Sequence, residues 1–330
     1  MGIFNLFSSE EPILSIELGN PVRLVYGGRR KDKKIVIKNA VSFLFSPDIF
    51  QGGQSLDISK IVETLKKDLK VLKVKNPKTY IAIPSLNVVV RFFNFTYMPE
   101  EELREAIKWE LDRYIPFSEE DIVYDLEIID VIEREGSKEC KVMLVAVPKE
   151  VINPYLEIVK SLGLNLEVVD ISIFSAVRSV VFNRKELPKG NTLFLYTHDN
   201  IAEFVVLKDN QPIFFRSTIM EEWNPHEEGV DELTKSFILE DFVRKIQESI
   251  NFFFLQFPEE HIDQAIVMGS NAKNKDFVDL LEALLNVPSE VAPLTLSSDV
   301  IVNAKKQDKS FLEDLSSWVV PIGLFFWGRM

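Results

Sequence analysis

The side chains of this chain best suited to covalent or metal chemistry are its one thiol, Cys140, and three histidines, His198, His226 and His261. Their spacing serves neither purpose. One thiol provides no disulfide framework and points to a reducing compartment, and scattered histidines with a single cysteine do not make a zinc set. A serine–histidine elbow, a Walker loop and metal-ligand spacing are also missing. What the sequence offers instead is binding chemistry. Residues 98–135 hold fourteen Asp and Glu against four Lys and Arg, a balance of −10 in a chain of net charge −13. Such a run is either a solvated face or a surface that attracts a basic partner segment. Within it, Tyr114-Ile115-Pro116-Phe117 sets two rings around a proline.

The elements that must position these residues follow from periodicity. Pro99 and the three glutamates after it start a helix, because proline fits the first turn and carboxylates complement the positive end of the helix dipole. Leu103, Ile107, Leu111 and Tyr114 continue it as one apolar stripe, which predicts a helix over 99–114 with its exit turn at 114–117. Residues 13–26 read as strand, turn at Gly19-Asn20-Pro21, and strand. Residues 193–207 repeat that plan around a turn at 197–200, and 211–219 form a third strand. Two such openings predict a duplicated α/β fold. Residues 58–72 read as a helix and 79–83 as a buried strand. The stretch from about 86 to 165 reads as an insertion: strand 88–95, the 99–114 helix, strands near 122–132 and 141–147, and a helix at 149–162 closed by Gly163. Residues 170–182 return the chain as a helix. In the second part, 240–257 is a helix with a wide apolar face, 265–268 a strand leading into Gly269-Ser270-Asn271, and 275–285 a helix.

Composition also bounds function. With 38 Lys and Arg against 51 Asp and Glu, nonspecific nucleic-acid binding is excluded. No run approaches the roughly twenty apolar residues that span a bilayer. The longest, 318–327, is interrupted by Pro321 and Gly323 and reads as a buried C-terminal helix. Residues 1–8 lack the charged start and apolar centre of a signal peptide, and Leu6 stands where myristoylation needs serine or threonine. The apolar Ile3, Phe4, Leu6 and Phe7 leave three readings open: packing on the first domain, mobility, or contact with a membrane surface.

As a string, MPEEELREAIKWELDRYIPF (98–117) closely resembles the inserted-subdomain helix of the type IV pilus assembly protein PilM family, part of the actin/FtsA-like superfamily. Residues 142–171, 242–269 and 318–330 resemble, in order, the family's strand–helix–strand segment, its long helix leading to the adenosine loop, and its last helix. The resemblance covers essentially the whole chain. It implies a duplicated actin-like (FtsA/PilM-type) α/β fold with an α+β subdomain inserted in the first half. The halves are expected at 1–185 and 186–330, the second with a small helical subdomain at about 223–257.

The resemblance further implies a nucleotide site, and here the pattern breaks. Actin-like folds cradle ATP phosphates in two glycine hairpins, because backbone N–H groups approach phosphate only where no Cβ intervenes. Each hairpin brings an aspartate for Mg²⁺, and a third glycine-rich turn lies under the adenosine. In this chain the first loop reads Glu17-Leu18-Gly19-Asn20-Pro21-Val22-Arg23. Glu17 keeps the charge and Arg23 stands in for a lysine, but the loop is one residue shorter and Pro21 removes a donor. The second reads Tyr196-Thr197-His198-Asp199-Asn200, with Tyr196 in place of the aspartate and His198 in place of the glycine; Asp199 reads as a turn residue. The third keeps Gly269, with Ser270 and Asn271 replacing glycines. No ATP hydrolysis and no cofactor are expected. If ATP and Mg²⁺ bind at all, Glu17, Gly19, Asn20, Arg23, Gly269, Ser270 and Asn271 are the residues implied.

The function implied is a noncatalytic cytoplasmic scaffold of the type IV pilus inner-membrane assembly complex, peripheral to that membrane. Its implied partners are the cytoplasmic tail of a PilN-like membrane protein and other pilus assembly proteins. In the family that tail lies between the first domain and the inserted subdomain. Tyr114, Ile115, Pro116 and Phe117 are expected in that groove or as its support, the alternative being that they only close the subdomain's own core. The competing readings are an active actin-like ATPase that regulates pilus or type II secretion assembly, and the cytoplasmic domain of a type II secretion protein. The oligomeric state is not read from the sequence.

Overall fold

The computed structural model describes residues 10–45, 49–51, 55–72, 74, 76–134, 136–184, 189–198, 200–219, 231–292, 300–307 and 310–328. Residues 1–7, Asp199, His226 and the first part of the expected helical subdomain lie outside the described residues.

The chain opens with β1 (Glu11–Glu17), β2 (Val22–Arg29) and β3 (Ile35–Phe43), then the short pair β4 (Phe50–Gln51) and β5 (Ser55–Leu56), helix α1 (Ile58–Leu72) and β6 (Lys78–Ile83). The inserted unit follows as β7 (Val89–Thr96), α2 (Glu100–Trp109), β8 (Ile122–Arg134), β9 (Ser137–Pro148) and α3 (Lys149–Ser161). The chain returns through β10 (Asn165–Ile171) and α4 (Ser172–Asn183). The second part holds β11 (Asn191–His198), β12 (Ile201–Lys208), β13 (Gln211–Ile219), α5 (Glu232–Gln256), β14 (Gln264–Gly269), α6 (Lys275–Leu285) and β15 (Ser289–Val291). It closes with β16 (Val300–Gln307), α7 (Ser310–Glu313) and α8 (Val319–Leu324).

The described strands form a six-stranded sheet, β10-β6-β1-β2-β3-β16, a five-stranded sheet, β13-β12-β11-β14-β15, and a three-stranded sheet, β7-β9-β8. In the five-stranded sheet, alternate residues serve different cores, as the two-residue period of a strand requires. Leu193, Leu195, Ala265 and Val267 pack with Phe242, Ile246 and Phe253 of α5. Phe194, Tyr196, Ile266 and Met268 face the other way, into the core of the first half. Both faces are therefore covered, and β11 and β12 are buried along nearly their whole length.

Three expectations require correction. A small helical subdomain of the second half was expected at about 223–257, but its described helix α5 lies on the five-stranded sheet and shares its core, because its apolar face is too wide to leave unburied. The second half was expected to run to residue 330. Instead, β16 pairs parallel to β3 at the edge of the first sheet. Trp318 and Val319 through Phe326 are buried in the first half's core, with Ser15 Oγ donating to the Pro321 carbonyl at 2.6 Å. The exit helix is also shorter than its apolar stripe suggests: α2 stops at Trp109, and Leu111–Arg113 continues as a tighter turn that still buries Leu111.

Candidate functional site

At the junction of the halves, the first strands of each come together. Glu17 ends β1 with its side chain almost wholly buried. Arg23, opposite it on β2, donates Nη1–H to Glu17 Oε2 at 3.0 Å and lies 5.9 Å from the centre of the Trp318 ring. Tyr196, on β11, donates its hydroxyl to the other oxygen, Oε1. Both oxygens of the carboxylate thus have donors within the protein. Burial and the Glu17 charge push the Tyr196 hydroxyl well above its ordinary value, against the opposing pull of Arg23. For Arg23, burial works against the charged form, but the charges of Glu17 and its neighbours outweigh it and the guanidinium is raised.

The remaining loop residues sit around this trio. His198 stacks obliquely on Tyr196, with ring centres 5.1 Å apart, and its Nε2 lies 3.3 Å from Glu203 Oε1. Glu203 also accepts the Ser85 N–H at 2.8 Å, tying the second half to the entrance of the inserted unit. Gly19 faces His198, and a Cβ there would meet Nδ1 at 3.9 Å, an ordinary contact. Asn20 is spent on Phe45: its Oδ1 accepts the Phe45 N–H at 3.0 Å and its Nδ2 donates to the Phe45 carbonyl at 3.2 Å. Gly269 has φ +92°, and a Cβ there would stand 2.0 Å from the Thr197 carbonyl oxygen, so this turn requires glycine. Ser270 Oγ donates to that same carbonyl at 3.3 Å, and Asn271 is buried with no acceptor for its Nδ2 among the described residues. An open depression of about 670 Å³ lies beyond this third turn, lined by Ala272, Lys273, Ala292, Leu312 and Ser316. Asp314 on its wall is already held by Lys273 at 2.9 Å and by the hydroxyls of Ser316 and Ser317. Among the described residues no group of three His, Cys, Asp or Glu is placed to hold a metal ion.

The inserted unit has its own small core, in which α2 lays Leu103 and Ile107 on Cys140, Val142 and Leu144. Ile115 is buried in it, and Tyr114 stacks on Phe93 with ring centres 3.9 Å apart. Pro116 and Phe117 are exposed. The seam between this unit and the first half is made by the opposite face of the sheet. There Val90, Phe92, Met143, Val145 and Val147 pack with the first half's core, while Phe93 and Phe95 point the other way. Strand register sets Phe92, Met143 and Glu127 in one row across β7, β9 and β8. Across the seam stands Arg178 of α4, whose charge acts on Glu127; it is bound to Asp170 and lies 4.9 Å from the centre of the exposed Trp327 ring. The Glu127 carboxyl is raised, by desolvation first, with the Arg178 charge opposing. None of these seam residues was singled out from the sequence. The alternation Phe92/Phe93 and Met143/Leu144 was the available signal, since a strand apolar on both faces must be covered on both. Trp109 was missed as well and is 84% exposed.

No helix among the described residues is long and apolar enough to cross a membrane. The fold is that of a chain in the solved "PilM-PilN type IV pilus biogenesis complex", with a TM-score of 0.77 and 20% identity over 96% of this chain and 98% of that one. A weaker likeness is to a Bacteroides thetaiotaomicron protein of actin-like ATPase fold (TM-score 0.49, 11% identity, 88% and 94% covered). The sequence profile of the family described as type IV pilus assembly protein PilM matches residues 19–220, more than half of the chain. The protein belongs to the type IV pilus assembly protein PilM family.

Proposed function

We propose that this chain is a noncatalytic cytoplasmic scaffold of the type IV pilus assembly complex, held at the inner membrane through its partners. The observation that carries the noncatalytic reading is Glu17. It is the one loop carboxylate retained where the family would hold Mg²⁺, and both its oxygens are engaged by Arg23 and Tyr196. A magnesium–phosphate group does not fit these residues. The Tyr196 ring fills the junction, His198 faces Gly19, and the Asn20 side chain is committed to Phe45. The depression beyond the third turn has the volume of a small-molecule site, but its lining includes none of Glu17, Gly19, Arg23 or His198 of the first two loops.

The partner is the cytoplasmic tail of a PilN-like membrane protein, by analogy with the solved complex, which pairs PilM with PilN. A short apolar and basic tail suits the seam between the inserted unit and the first half. Phe92, Met143 and Trp327 offer apolar surface, and Glu127 offers an acidic group of raised proton affinity. The exit turn then supports the seam rather than lining it, since Tyr114 stacks on Phe93, the residue next to Phe92 on β7. Calorimetric titration of the tail peptide into wild type and Glu127→Lys, with melting in the presence and absence of Mg·ATP, tests both parts. Equal tail affinities in two equally stable proteins would move the tail elsewhere. A melting shift with Mg·ATP would restore the nucleotide site.

A further inference from the structure

The first 80 residues of this acidic chain are basic. They hold fourteen Lys and Arg against eight Asp and Glu, a balance of +6, so the other 250 residues carry −19. The fold gathers these cations at one end of the first sheet. Arg29 ends β2 opposite Glu11 at the start of β1, and Lys78 starts β6 with its Nζ 2.8 Å from Glu11 Oε1. The β2–β3 turn beside them carries Arg30, Lys31 and Lys34. Helix α1 brings Lys66 and Lys70, four positions apart on one face, and its last residue lies six positions before Lys78. Lys160, in the last turn of α3, arrives at the same end, because β10 then begins with Asn165 paired to Lys78.

Three carboxylates near them are already held: Glu10 by Lys38, Glu11 by Lys78 and Glu63 by Lys67, at 2.7, 2.8 and 2.8 Å. Arg30, Lys31, Lys34, Lys66, Lys70 and Lys160 have no carboxylate partner among the described residues, and the four of these outside Arg30 and Lys34 are exposed. Apolar groups share this end. Trp327 is 37% exposed, and its carbonyl accepts from Arg29 Nη2 at 3.2 Å. Residues 1–9, outside the described residues, join the chain here at Glu10 and bring Ile3, Phe4, Leu6 and Phe7 with no charged side chain among them. The acidic inserted unit, by contrast, is entered from the other end of β6, which runs parallel to β1. Cations and apolar groups at one end, with the densest acid attached at the opposite one, orient a protein on an anionic lipid surface.

We propose that the basic end of the first sheet docks directly on an anionic bilayer, its cations against the headgroups and the apolar residues before Glu10 in the headgroup layer. Neither part suffices alone. One short apolar segment anchors only marginally, and exposed lysines are screened beyond about 8 Å at physiological ionic strength, so the two act together. The contact is separate from capture of a PilN-like tail and holds whether or not such a tail lies in the seam.

Flotation of the purified full chain with lipid vesicles, without any partner protein, tests this. Binding is expected to vesicles of phosphatidylcholine with roughly one-third phosphatidylglycerol and not to phosphatidylcholine alone. It should be lost at about 1 M salt, where the Debye length is ~3 Å. Three variants address the parts of the contact: Lys31→Glu with Lys34→Glu, Lys66→Glu with Lys70→Glu, and Phe4→Ser with Phe7→Ser. Each is expected to weaken binding about tenfold or more while melting as the wild type does. Lys235→Glu with Lys275→Glu makes the same charge change at exposed positions of the second half and should leave binding unchanged. A DNA duplex at equal phosphate concentration should not displace the protein from the vesicles. Absence of binding to the anionic vesicles, equal binding to neutral ones, or any of the three variants binding as the wild type does would overturn the proposal. So would a matching loss in the second-half variant, or displacement by the duplex.

Discussion

Tyr196 and Glu17 stand 179 positions apart and meet in one hydrogen bond, through which the first strand of each half holds the other. Arg23 completes the contact from the neighbouring strand, so a carboxylate expected to serve a metal serves the junction instead. Removing one member should leave a buried group without its partner. We expect Tyr196→Phe to cost about 1–3 kcal/mol and Arg23→Met about 3–5 kcal/mol in urea unfolding.

The same bond has a pH signature. The Tyr196 hydroxyl is raised by burial and by the Glu17 charge, so its contribution to stability is complete below the unfolded tyrosine value of about 10. It falls as pH rises beyond that, because the unfolded chain releases the proton first. The difference between wild type and Tyr196→Phe should therefore be constant through neutrality and shrink in alkali. A difference that grows above pH ~10 would contradict the assignment.

Nucleotide should leave the protein unmoved. A ligand at a hundred times its dissociation constant adds roughly 2.7 kcal/mol, so any productive Mg·ATP site would raise the melting temperature measurably. We expect no shift, and ATP turnover no faster than that of a Tyr196→Ala preparation made in parallel.

Gly19 and Gly269, the glycines the loops retain, should respond differently to alanine. At Gly269 the added Cβ would stand 2.0 Å from the Thr197 carbonyl oxygen at φ +92°, and a loss of at least ~2 kcal/mol is expected. At Gly19 the nearest atom is His198 Nδ1 at 3.9 Å, and Gly19→Ala should be close to neutral. Denaturation midpoints of the two variants decide it.

Tail binding should report Glu127. Glu127→Lys is expected to weaken the peptide about tenfold or more, which is 1.4 kcal/mol, whereas Phe117→Ala, at an exposed ring outside the seam, should change it less. Because desolvation raises the Glu127 carboxyl, wild-type affinity should decline on acidification before an ordinary glutamate would protonate. Glu127→Gln should flatten that decline.

Periodicity carried most of the fold. The helices Ile58–Leu72 and Lys275–Leu285 have the bounds their apolar stripes define, and the first strand–turn–strand opening falls where Gly19 and Pro21 mark it. What escaped depends on pairing at long range. Ile35–Phe43 became an internal strand only because residues 300–307 cover its edge, and no local pattern in either segment announces the other. The site was legible as a set of altered loops, since Tyr196 and His198 are visible as substitutions. Their meeting with Glu17 and Gly19 required the halves to be docked. Trp109 and Glu127 were invisible for a related reason: the sequence showed a helix and a strand, but not which side of each remained uncovered.

The return of β16 and the Trp318–Phe326 stretch to the first half imposes an order on synthesis. On the ribosome, β1, β2 and β3 emerge early but keep an open edge, and a core lacking Trp318 and Phe325, until residues 300–326 have been made. The five-stranded sheet, by contrast, is complete once β15 is out. The half encoded second should mature first, and a nascent chain stalled before residue 300 should hold it folded beside a protease-sensitive first half that waits for its final strand.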